Sequence, residues 1–269
     1  MLPEIILGEF SLPTYGLMAV IGFLAAIFVA TTLSNKCGMP KMDIVFAAIY
    51  CAVGVIIGAK LLYFITVLPN IIKHIELLST SPTAVLLYAF SGFVFYGGLI
   101  GGAFGIWVYC KQFHLSISPL MNIMAVAVPL FHGFGRLGCL LGGCCYGKEY
   151  HGAFAVTFPD NTGIKGLAGV ERFPTQLTEA IFNFVLFILI YIFVKKGKPR
   201  SGQALGIYLI AYPIERFLLE FMRGDSVRGF FGPFSTSQWI SLMLLPLGLY
   251  LTFRKEKVDE AVDVDTLDD

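Results

Sequence analysis

Residues 14–33, TYGLMAVIGFLAAIFVATTL, form the stretch of sequence that decides the fold class. The stretch contains no charged residue, and a helix of about 20 apolar residues can cross the hydrocarbon core of a bilayer. The whole chain has the same character, because 57% of its 269 residues are hydrophobic and only 14% are charged. Soluble domains carry roughly 25% charged residues. A soluble globular protein is therefore excluded, and we predict a polytopic membrane protein.

Six further apolar segments indicate an all-α polytopic membrane protein with about seven transmembrane helices. They are residues 44–68, 92–110, 119–143, 177–194, 204–222 and 235–253. No Lys or Arg precedes the first span, so the charged start of a cleavable signal peptide is missing and we expect the span to be retained. The connection at about 144–176 is rich in Gly, Pro, Asp and Asn, which predicts a small irregular head rather than another span.

The distribution of Lys and Arg between alternate loops predicts the orientation. The loops after spans one, three and five, with the segment after span seven, hold more of these cations than the loops on the other side. Cytoplasmic loops carry such an excess, so we expect the N-terminus and the head to be extracytoplasmic. Residues 1–258 then form a single transmembrane domain, and the acidic residues 259–269 form a cytoplasmic tail.

Three cations fall inside the predicted spans: Lys60, Arg136 and Arg216. A cation at membrane depth costs at least about 2.5 kcal/mol, so each one marks a candidate site. Structural alternatives exist for two of them. Arg216 could pair with Glu220 one turn later or with Glu179 at the start of the fifth span, and Lys60 could extend to the membrane surface. Arg136 has no acidic residue at helical spacing within its own span, which makes it the strongest candidate.

The two arginines lie on polar faces of two different predicted helices. On the fourth span His132, Arg136 and Cys139 follow one another at i, i+4 and i+7, which places them on one face. The sixth span carries a second such face, with Tyr212, Arg216, Glu220 and Arg223. An arginine fork suits a phosphate because it donates two parallel hydrogen bonds and stays charged. The pattern predicts an anionic phospholipid as the ligand.

Three cysteines lie at the end of the fourth span and directly after it: Cys139, Cys144 and Cys145. With His132 or His151 they could suggest zinc, but the C-x4-C-C spacing matches no common structural zinc site. No metal is therefore predicted. A reactive thiol is one interpretation, since a nearby arginine lowers a thiol pKa, and packing as small apolar side chains is the other.

A glycine stripe at helical spacing runs along the third span at Gly97, Gly101 and Gly105. Small residues on one face let two helix backbones approach closely in a membrane. The stripe therefore predicts tight packing of this span against another helix.

Five short motifs fall in register on the predicted spans. They are YGLM (15–18), YGGLIG (96–101), GRLG (135–138), RFPTQLTE (172–179) and ERFLLEFMR (215–223). Together they resemble the prolipoprotein diacylglyceryl transferases over residues 15–238. The resemblance implies an enzyme of the bacterial inner membrane that moves the diacylglyceryl group of phosphatidylglycerol onto the lipobox cysteine thiol of a prolipoprotein, forming a thioether. The implied partners are phosphatidylglycerol, the prolipoprotein signal peptide and the bilayer, with no cofactor and no nucleic acid.

The resemblance also implies roles for individual residues at matching positions. Arg136 and Arg216 match the family's essential arginines, and with Tyr96 and His132 they are the catalytic candidates. The substrate-binding candidates are Tyr15, Lys60, Gly97, Gly98, Cys139, Glu220 and Arg223.

The chain departs from the family's pattern at several of these positions. Tyr96 stands where the third-span motif normally opens with histidine, and Lys60 stands where the family has arginine. Cys139 and Cys144 replace an asparagine and a glutamate. A tyrosine with a pKa near 10 is a poor general base, so we expect Tyr96 to orient the lipid. Two explanations for the proton stay open: another histidine, His132 or His151 in the head, replaces the missing imidazole, or the acceptor thiol loses its proton readily near two arginines.

Other functions remain open at this point. The chain could be a divergent member with a different acceptor, a non-catalytic phospholipid-binding or transport protein, or a membrane thiol oxidoreductase. The absence of repeat halves disfavours a transporter, and the absence of C-x-x-C disfavours a thiol oxidoreductase. A lipidated product made in purified vesicles would separate the transferase from all of these.

Overall fold

The computed structural model describes residues 3–8, 10–74, 76, 80–159, 167–225 and 229–254, and a helix falls on every predicted span. In chain order the α-helices are α1 (Thr14–Thr32), α2 (Ser34–Cys37), α3 (Lys41–Lys73), α4 (Pro82–Phe90), α5 (Phe95–Gln112), α6 (Ser118–Leu141), α7 (Thr175–Lys196), α8 (Gln203–Leu219) and α9 (Thr236–Phe253). A 3₁₀ helix, Glu220–Met222, follows α8 directly. The strands form three short antiparallel pairs: β1 (Glu4–Leu7) with β2 (Phe10–Pro13), β3 (Val156–Thr157) with β4 (Glu171–Arg172), and β5 (Phe230–Phe231) with β6 (Phe234–Ser235).

Length and composition identify the helices that can cross a membrane. Among the described residues, α1, α3, α6 and α7 are long and apolar enough, and α4 with α5, bent by 71°, would make a fifth span. The prediction of a mostly helical, multi-pass membrane protein is therefore confirmed, with four or five candidate spans. Helices α8 and α9 lie at the positions of the sixth and seventh predicted spans.

The chain divides into two compact units, one of residues 37–120 and one of residues 1–36 with 121–269. In the first unit α3 and α5 pack along the predicted glycine stripe. A Cβ atom at Gly97, Gly101 or Gly105 would overlap the backbone carbonyl of Gly58, Gly54 or Tyr50, respectively. The close packing predicted for these glycines is confirmed, because any side chain there would force the two helices apart.

The second unit contains α1 and α6 to α9, and α7 begins with a polar face that is fully buried. Its residues Thr175, Gln176, Glu179 and Asn183 are each at most 1% exposed. Buried polar groups need hydrogen-bond partners. Thr175 and Gln176 donate to backbone carbonyls just after α6, and Glu179 accepts from a tyrosine on α8. Polar contacts therefore fix α7 against both neighbouring segments.

The connection predicted as an irregular head contains little regular structure. Its described parts include only the two-residue strands β3 and β4, and residues 160–166 and the acidic tail 259–269 lie outside the described residues. The sequence did not predict the β1–β2 pair before α1, or the nine-residue helix α4. Elements this short contain too few residues for a hydrophobic period to be recognised in the sequence.

Candidate active site

Arg136 lies on α6 and forms a buried ion pair with Glu179 on α7. Its Nη2 atom is 2.9 Å from Oε1 of Glu179, whose side chain is 1% exposed. The hydroxyl of Tyr212 on α8 donates to the same carboxylate oxygen at 3.0 Å. Three helices therefore meet at one carboxylate. Its buried charge is compensated by the guanidinium and by this hydrogen bond.

His132 lies one turn before Arg136 on α6, as the helical spacing predicts. Its Nε2 accepts a hydrogen bond of 3.4 Å from Nε of Arg136 and lies 3.6 Å from Oε1 of Glu179. Its Nδ1 lies 3.5 Å from the hydroxyl of Tyr208, and its ring centre lies 4.7 Å from that of Tyr212. Because Nε2 accepts from a guanidinium, the imidazole is neutral and this lone pair is occupied. The geometry therefore does not favour His132 as a base.

Arg216, near the end of α8, forms the second buried ion pair. Its Nη2 lies 2.6 Å from Oε2 of Glu220 in the 3₁₀ helix, with side chains 10% and 3% exposed. The same nitrogen donates to Oγ of Ser237 on α9 at 3.3 Å. Within the described residues, Nη1 of Arg216 is buried and has no hydrogen-bond partner. An unpaired buried donor of this kind is costly, and an anionic oxygen would satisfy it.

The acidic partners of Arg136 and Arg216 agree only in part with those predicted from the sequence. Pairing of Arg216 with Glu220 is confirmed, whereas pairing of Arg216 with Glu179 is wrong, because Glu179 binds Arg136 instead. The sequence offered no acidic partner for Arg136, because helical spacing identifies neighbours only within the same helix and Glu179 lies on α7. Glu179 still interacts electrostatically with both arginines, so the two ion pairs belong to one charged cluster.

Cys139, Cys144 and Cys145 come together where α6 ends. Their sulfur atoms all lie within 4.8 Å of one another. The backbone turns back through left-handed conformations at Gly143 (φ 74°) and Cys145 (φ 63°), and the amide of Cys144 donates to the carbonyl of Cys139 at 3.1 Å. Positive φ is uncommon for a residue other than glycine. The turn therefore brings the adjacent thiols of Cys144 and Cys145 back to Cys139, one α-helical turn or more earlier in the chain.

The Cys145 thiol has the most perturbed environment of the three. Its pKa is lowered because Cys139 and Cys144 hydrogen-bond to its thiolate, and because Arg223 and Arg136 lie nearby. A lowered pKa favours the thiolate, which is the form that acts as nucleophile or metal ligand. Both interpretations of the cysteines, as reactive thiols and as small packing residues, stay predictions.

Arg223 follows the 3₁₀ helix and binds Asp225 with both arms of its fork. Its Nε and Nη2 atoms donate to the two carboxylate oxygens at 2.9 and 2.6 Å. The prediction that Tyr212 and Arg223 lie on one continuous helical face is wrong, because α8 ends at Leu219 and Arg223 has an extended backbone. An isolated bridge pairs Arg223 with Gly147, so the residue belongs to the segment beside the three cysteines.

Tyr15 lies in the first turn of α1 and is 53% exposed. A Cβ atom added at Gly138 on α6 would lie 3.2 Å from Cδ2 of Tyr15, so the ring packs directly beside Cys139. Tyr15 also interacts electrostatically with Arg136 and with Cys139. The structure therefore brings Tyr15 to the site of the arginines and cysteines, as expected for a substrate-binding candidate.

Lys60 belongs to the unit of residues 37–120 and has partners within that unit. Its Nζ donates to the carbonyl oxygen of Phe90 and lies 3.9 Å from the centre of the Phe93 ring. The last carbonyl of α4 and an aromatic face therefore receive the charge, and extension of the side chain to the membrane surface stays a prediction. A role of Lys60 in substrate binding stays a prediction.

The other site candidates of that unit lie in the first turns of α5. Tyr96 makes an edge-to-face contact with Phe95, at 5.6 Å between ring centres. Gly97 and Gly98 are buried against α3. Packing explains both glycines, while their predicted contact with substrate, and that of Tyr96, stay predictions.

Sequence reasoning passed over Glu215 on α8. Within the described residues, both of its carboxylate oxygens are buried and lack a hydrogen-bond partner. The group borders a largely apolar cavity between α7 and α8 that also contains Thr178. An acidic residue inside a predicted span is as informative as a cation, so counting acids as well as cations would have found it.

The helices and the charged cluster define a class of protein: an integral membrane protein with a buried cationic site suited to an anionic ligand. Residues 4–254 match the sequence model of the family described as "LGT: Prolipoprotein diacylglyceryl transferase". The chain therefore belongs to the prolipoprotein diacylglyceryl transferase family, and the resemblance drawn from the five motifs is confirmed.

Similar proteins from several bacteria carry this family's name. "Phosphatidylglycerol--prolipoprotein diacylglyceryl transferase" of Clostridium tetani is 35% identical over 246 residues, which cover 90% of this chain and 94% of the relative. "Phosphatidylglycerol--prolipoprotein diacylglyceryl transferase 2" of Clostridium perfringens is 34% identical over 251 residues, covering 92% and 94%. A relative from Dehalococcoides mccartyi is 29% identical over 257 residues, covering 95% and 94%. The similarity thus extends along almost the full length of both chains.

Proposed function

We propose that this protein transfers the diacylglyceryl group of phosphatidylglycerol to the lipobox cysteine of a prolipoprotein in the bacterial cytoplasmic membrane. The acceptor sulfur forms a thioether with a glycerol carbon, and glycerol phosphate departs. Family membership and the names of the relatives support this pair of substrates. The observation that carries the proposal is the pair of buried arginines, because a departing phosphate needs fixed positive charge in a site that excludes water.

Arg136 and Arg216 bind the phosphate in this mechanism. Arg136 uses Nη2 and Nε for contacts with Glu179 and His132, and a guanidinium has five N–H donors, so others remain for a ligand. Arg216 offers its buried Nη1. As the bond between glycerol carbon and phosphate oxygen breaks, the guanidinium groups stabilise the electron pair that the oxygen keeps.

Glu179 and Glu220 are positioning residues in the same mechanism. Each holds one guanidinium in place through an ion pair, at 2.9 and 2.6 Å. A buried arginine without a counterion would be strongly destabilising. The carboxylates therefore keep both forks inside the site before the lipid arrives.

The acceptor thiol must lose its proton before it attacks. His132 is not suited to take it, because Nε2 already accepts from Arg136. We favour the explanation in which the thiol deprotonates in the field of the arginines, and Tyr96 orients the lipid. The remaining substrate contacts in the proposal come from Tyr15, Lys60, Gly97, Gly98, Cys139, Glu220 and Arg223.

Seven spans complete the proposal, with α8 and α9 crossing the membrane as well. The N-terminus and the segment 144–176 are then extracytoplasmic, and the acidic tail is cytoplasmic, as the Lys and Arg distribution suggests. Reporter tags in the tail and near Lys198 should report cytoplasm, and a tag near Thr162 should report the outside. A reversal at any of the three would overturn this topology.

A reconstituted assay tests the activity. Purified protein in phosphatidylglycerol vesicles should convert a lipobox peptide into a thioether product with the mass of one added diacylglyceryl group. A peptide with serine in place of the cysteine, and vesicles of phosphatidylcholine alone, are the matched controls. Tight binding of phosphatidylglycerol without any product would instead identify a non-catalytic lipid-binding protein.

A further inference from the structure

The three thiols after α6 have a geometry close to that of a metal site. The sulfurs of Cys139, Cys144 and Cys145 lie within 4.8 Å of one another. Two sulfurs bound to one tetrahedral zinc ion, each at about 2.3 Å, are about 3.8 Å apart. The sulfur separations therefore exceed those of a zinc site by about an ångström at most.

The backbone that carries these thiols is held in place from α7. The carbonyl oxygen of Cys144 accepts from Nε2 of Gln176 at 2.7 Å, and that of Cys145 accepts from Oγ1 of Thr175 at 2.8 Å. Both donors are 1% exposed. Hydrogen bonds that orient ligand-bearing residues are the usual support of a metal site, so this turn is preorganised rather than loose.

The surroundings suit a negatively charged metal–thiolate complex. Three thiolates with one divalent ion carry net negative charge, and a fourth thiolate adds to it. Arg136 and Arg223 both interact electrostatically with Cys145. Their positive charges stabilise such a complex, and Arg136 also places it beside the phosphate site.

We propose that Cys139, Cys144 and Cys145 bind one zinc ion, and that the acceptor cysteine occupies the fourth coordination position as a thiolate. Soft sulfur ligands select zinc among the common divalent ions. Three protein ligands with one open position are the arrangement of catalytic rather than structural zinc. This inference rests on the proposed function, and it departs from the expectation of no metal that the spacing alone gave.

Zinc would complete the activation of the acceptor thiol that the proposed function assigns to the field of the arginines. On binding, the acceptor thiol releases its proton to water, because a metal-coordinated thiol is deprotonated. The thiolate sulfur then attacks the glycerol carbon, the S–C bond forms, and the C–O bond to the phosphate breaks. Its electron pair leaves with glycerol phosphate, and no atom is oxidised or reduced.

Cobalt(II) titration of the full chain tests the metal site without reference to activity. Protein purified under reducing conditions and stripped with a chelator should bind one cobalt(II) per chain, with sulfur-to-cobalt charge-transfer absorption, and zinc should displace it. Cys144→Ser with Cys145→Ser should abolish this absorption. Cys51→Ser, a thiol in the other unit, should leave it unchanged. Absence of cobalt uptake, or unchanged absorption in the double variant, would overturn the proposal.

The open position is tested with the acceptor peptide and with the assay. The lipobox peptide should shift the visible cobalt bands, and its serine analogue should not. Removing zinc should lower the transfer rate by at least about a hundredfold, the scale on which a lost proton-handling group acts, and zinc should restore it. Full activity of metal-free protein would reject the zinc role while the transferase stands. Cobalt and peptide binding without any product would reject the transferase while the metal site stands.

Discussion

The two compact units of this chain are stabilised in opposite ways. In residues 37–120, α3 and α5 meet mainly through glycine backbones, with Gly101 facing Gly54, and Tyr109 of α5 also donates to Asp43 of α3 at 2.8 Å. In the other unit, α6, α7 and α8 meet at the buried carboxylate of Glu179. Packing of small residues needs only correct spacing along each helix. A buried charge needs a defined partner, and for Arg136 that partner comes from a distant part of the sequence.

This difference separates what supports the fold from what performs the chemistry. The glycine contacts tolerate no side chain but offer no reactive group. The charged cluster costs folding free energy unless every member is paired, and in the described residues it nonetheless contains an unpaired donor on Arg216. This unpaired donor supports the proposed binding of an anionic ligand at Arg216.

The largest effect is expected from the arginines of the charged cluster. Arg136→Lys and Arg216→Lys should each lower the transfer rate by about a thousandfold, because a point ammonium cannot reproduce the fork. The rate of thioether formation in phosphatidylglycerol vesicles measures this. Arg200→Lys, where the arginine only binds backbone carbonyls near α9, is the matched control. Near-normal transfer by a monodisperse Arg136→Lys protein would reject the phosphate role.

The next effect compares a buried with an exposed ion pair. Glu179→Gln should lower the free energy of unfolding by about 3 kcal/mol, because it leaves Arg136 buried without a counterion. Glu171→Gln removes the exposed pair with His151, at 2.9 Å, and should cost less than about 1 kcal/mol. Thermal unfolding in detergent measures both. Equal losses would show that burial does not set the strength of these pairs.

A somewhat smaller effect is expected where the other unit packs through glycine. Gly101→Ala should destabilise that unit by about 1–3 kcal/mol, because the added Cβ overlaps the carbonyl of Gly54. Gly16→Ala, where a Cβ meets nothing within 4 Å, is the control. Limited proteolysis and thermal unfolding report the difference. If Gly101→Ala is as stable as Gly16→Ala, the two helices are not held at backbone contact.

The smallest effects should come from the two groups considered for proton transfer. Tyr96→Phe and His132→Gln should each lower the transfer rate by less than about a hundredfold, below the contribution of a positioned acid or base. Rates measured at several pH values with one peptide substrate test this. A folded His132→Gln protein without activity would show instead that the imidazole replaces the missing family base.

Much of the fold was predictable because it depends on local composition. A helix lies on each apolar run, and Gly97, Gly101 and Gly105 pack as their spacing predicts. The site was predictable in its cations and in the pairing of Arg216 with Glu220 one turn later. The pairing of Arg136 with Glu179 depends on where α7 meets α6, and no spacing within one helix encodes that contact.

The three cysteines also show that spacing along the sequence does not predict which side chains meet, even within seven residues. A C-x4-C-C spacing matches no zinc pattern, yet the sulfurs converge because Gly143 and Cys145 adopt left-handed backbone conformations. Glycine predicts such a turn, but a cysteine with positive φ does not follow from propensity. Ligand spacing rules assume regular backbone between the ligands, and here the backbone is not regular.

The hydrogen bonds from Thr175 and Gln176 to the carbonyls of Cys145 and Cys144 have a consequence for evolution. They join the two ends of the connection between α6 and α7 and so fix the base of this connection. Lengthening a flexible loop is inexpensive, at about 0.6 kcal/mol for each doubling. This connection can therefore gain or lose residues across species, and acquire new recognition surfaces, while the arginines keep their positions.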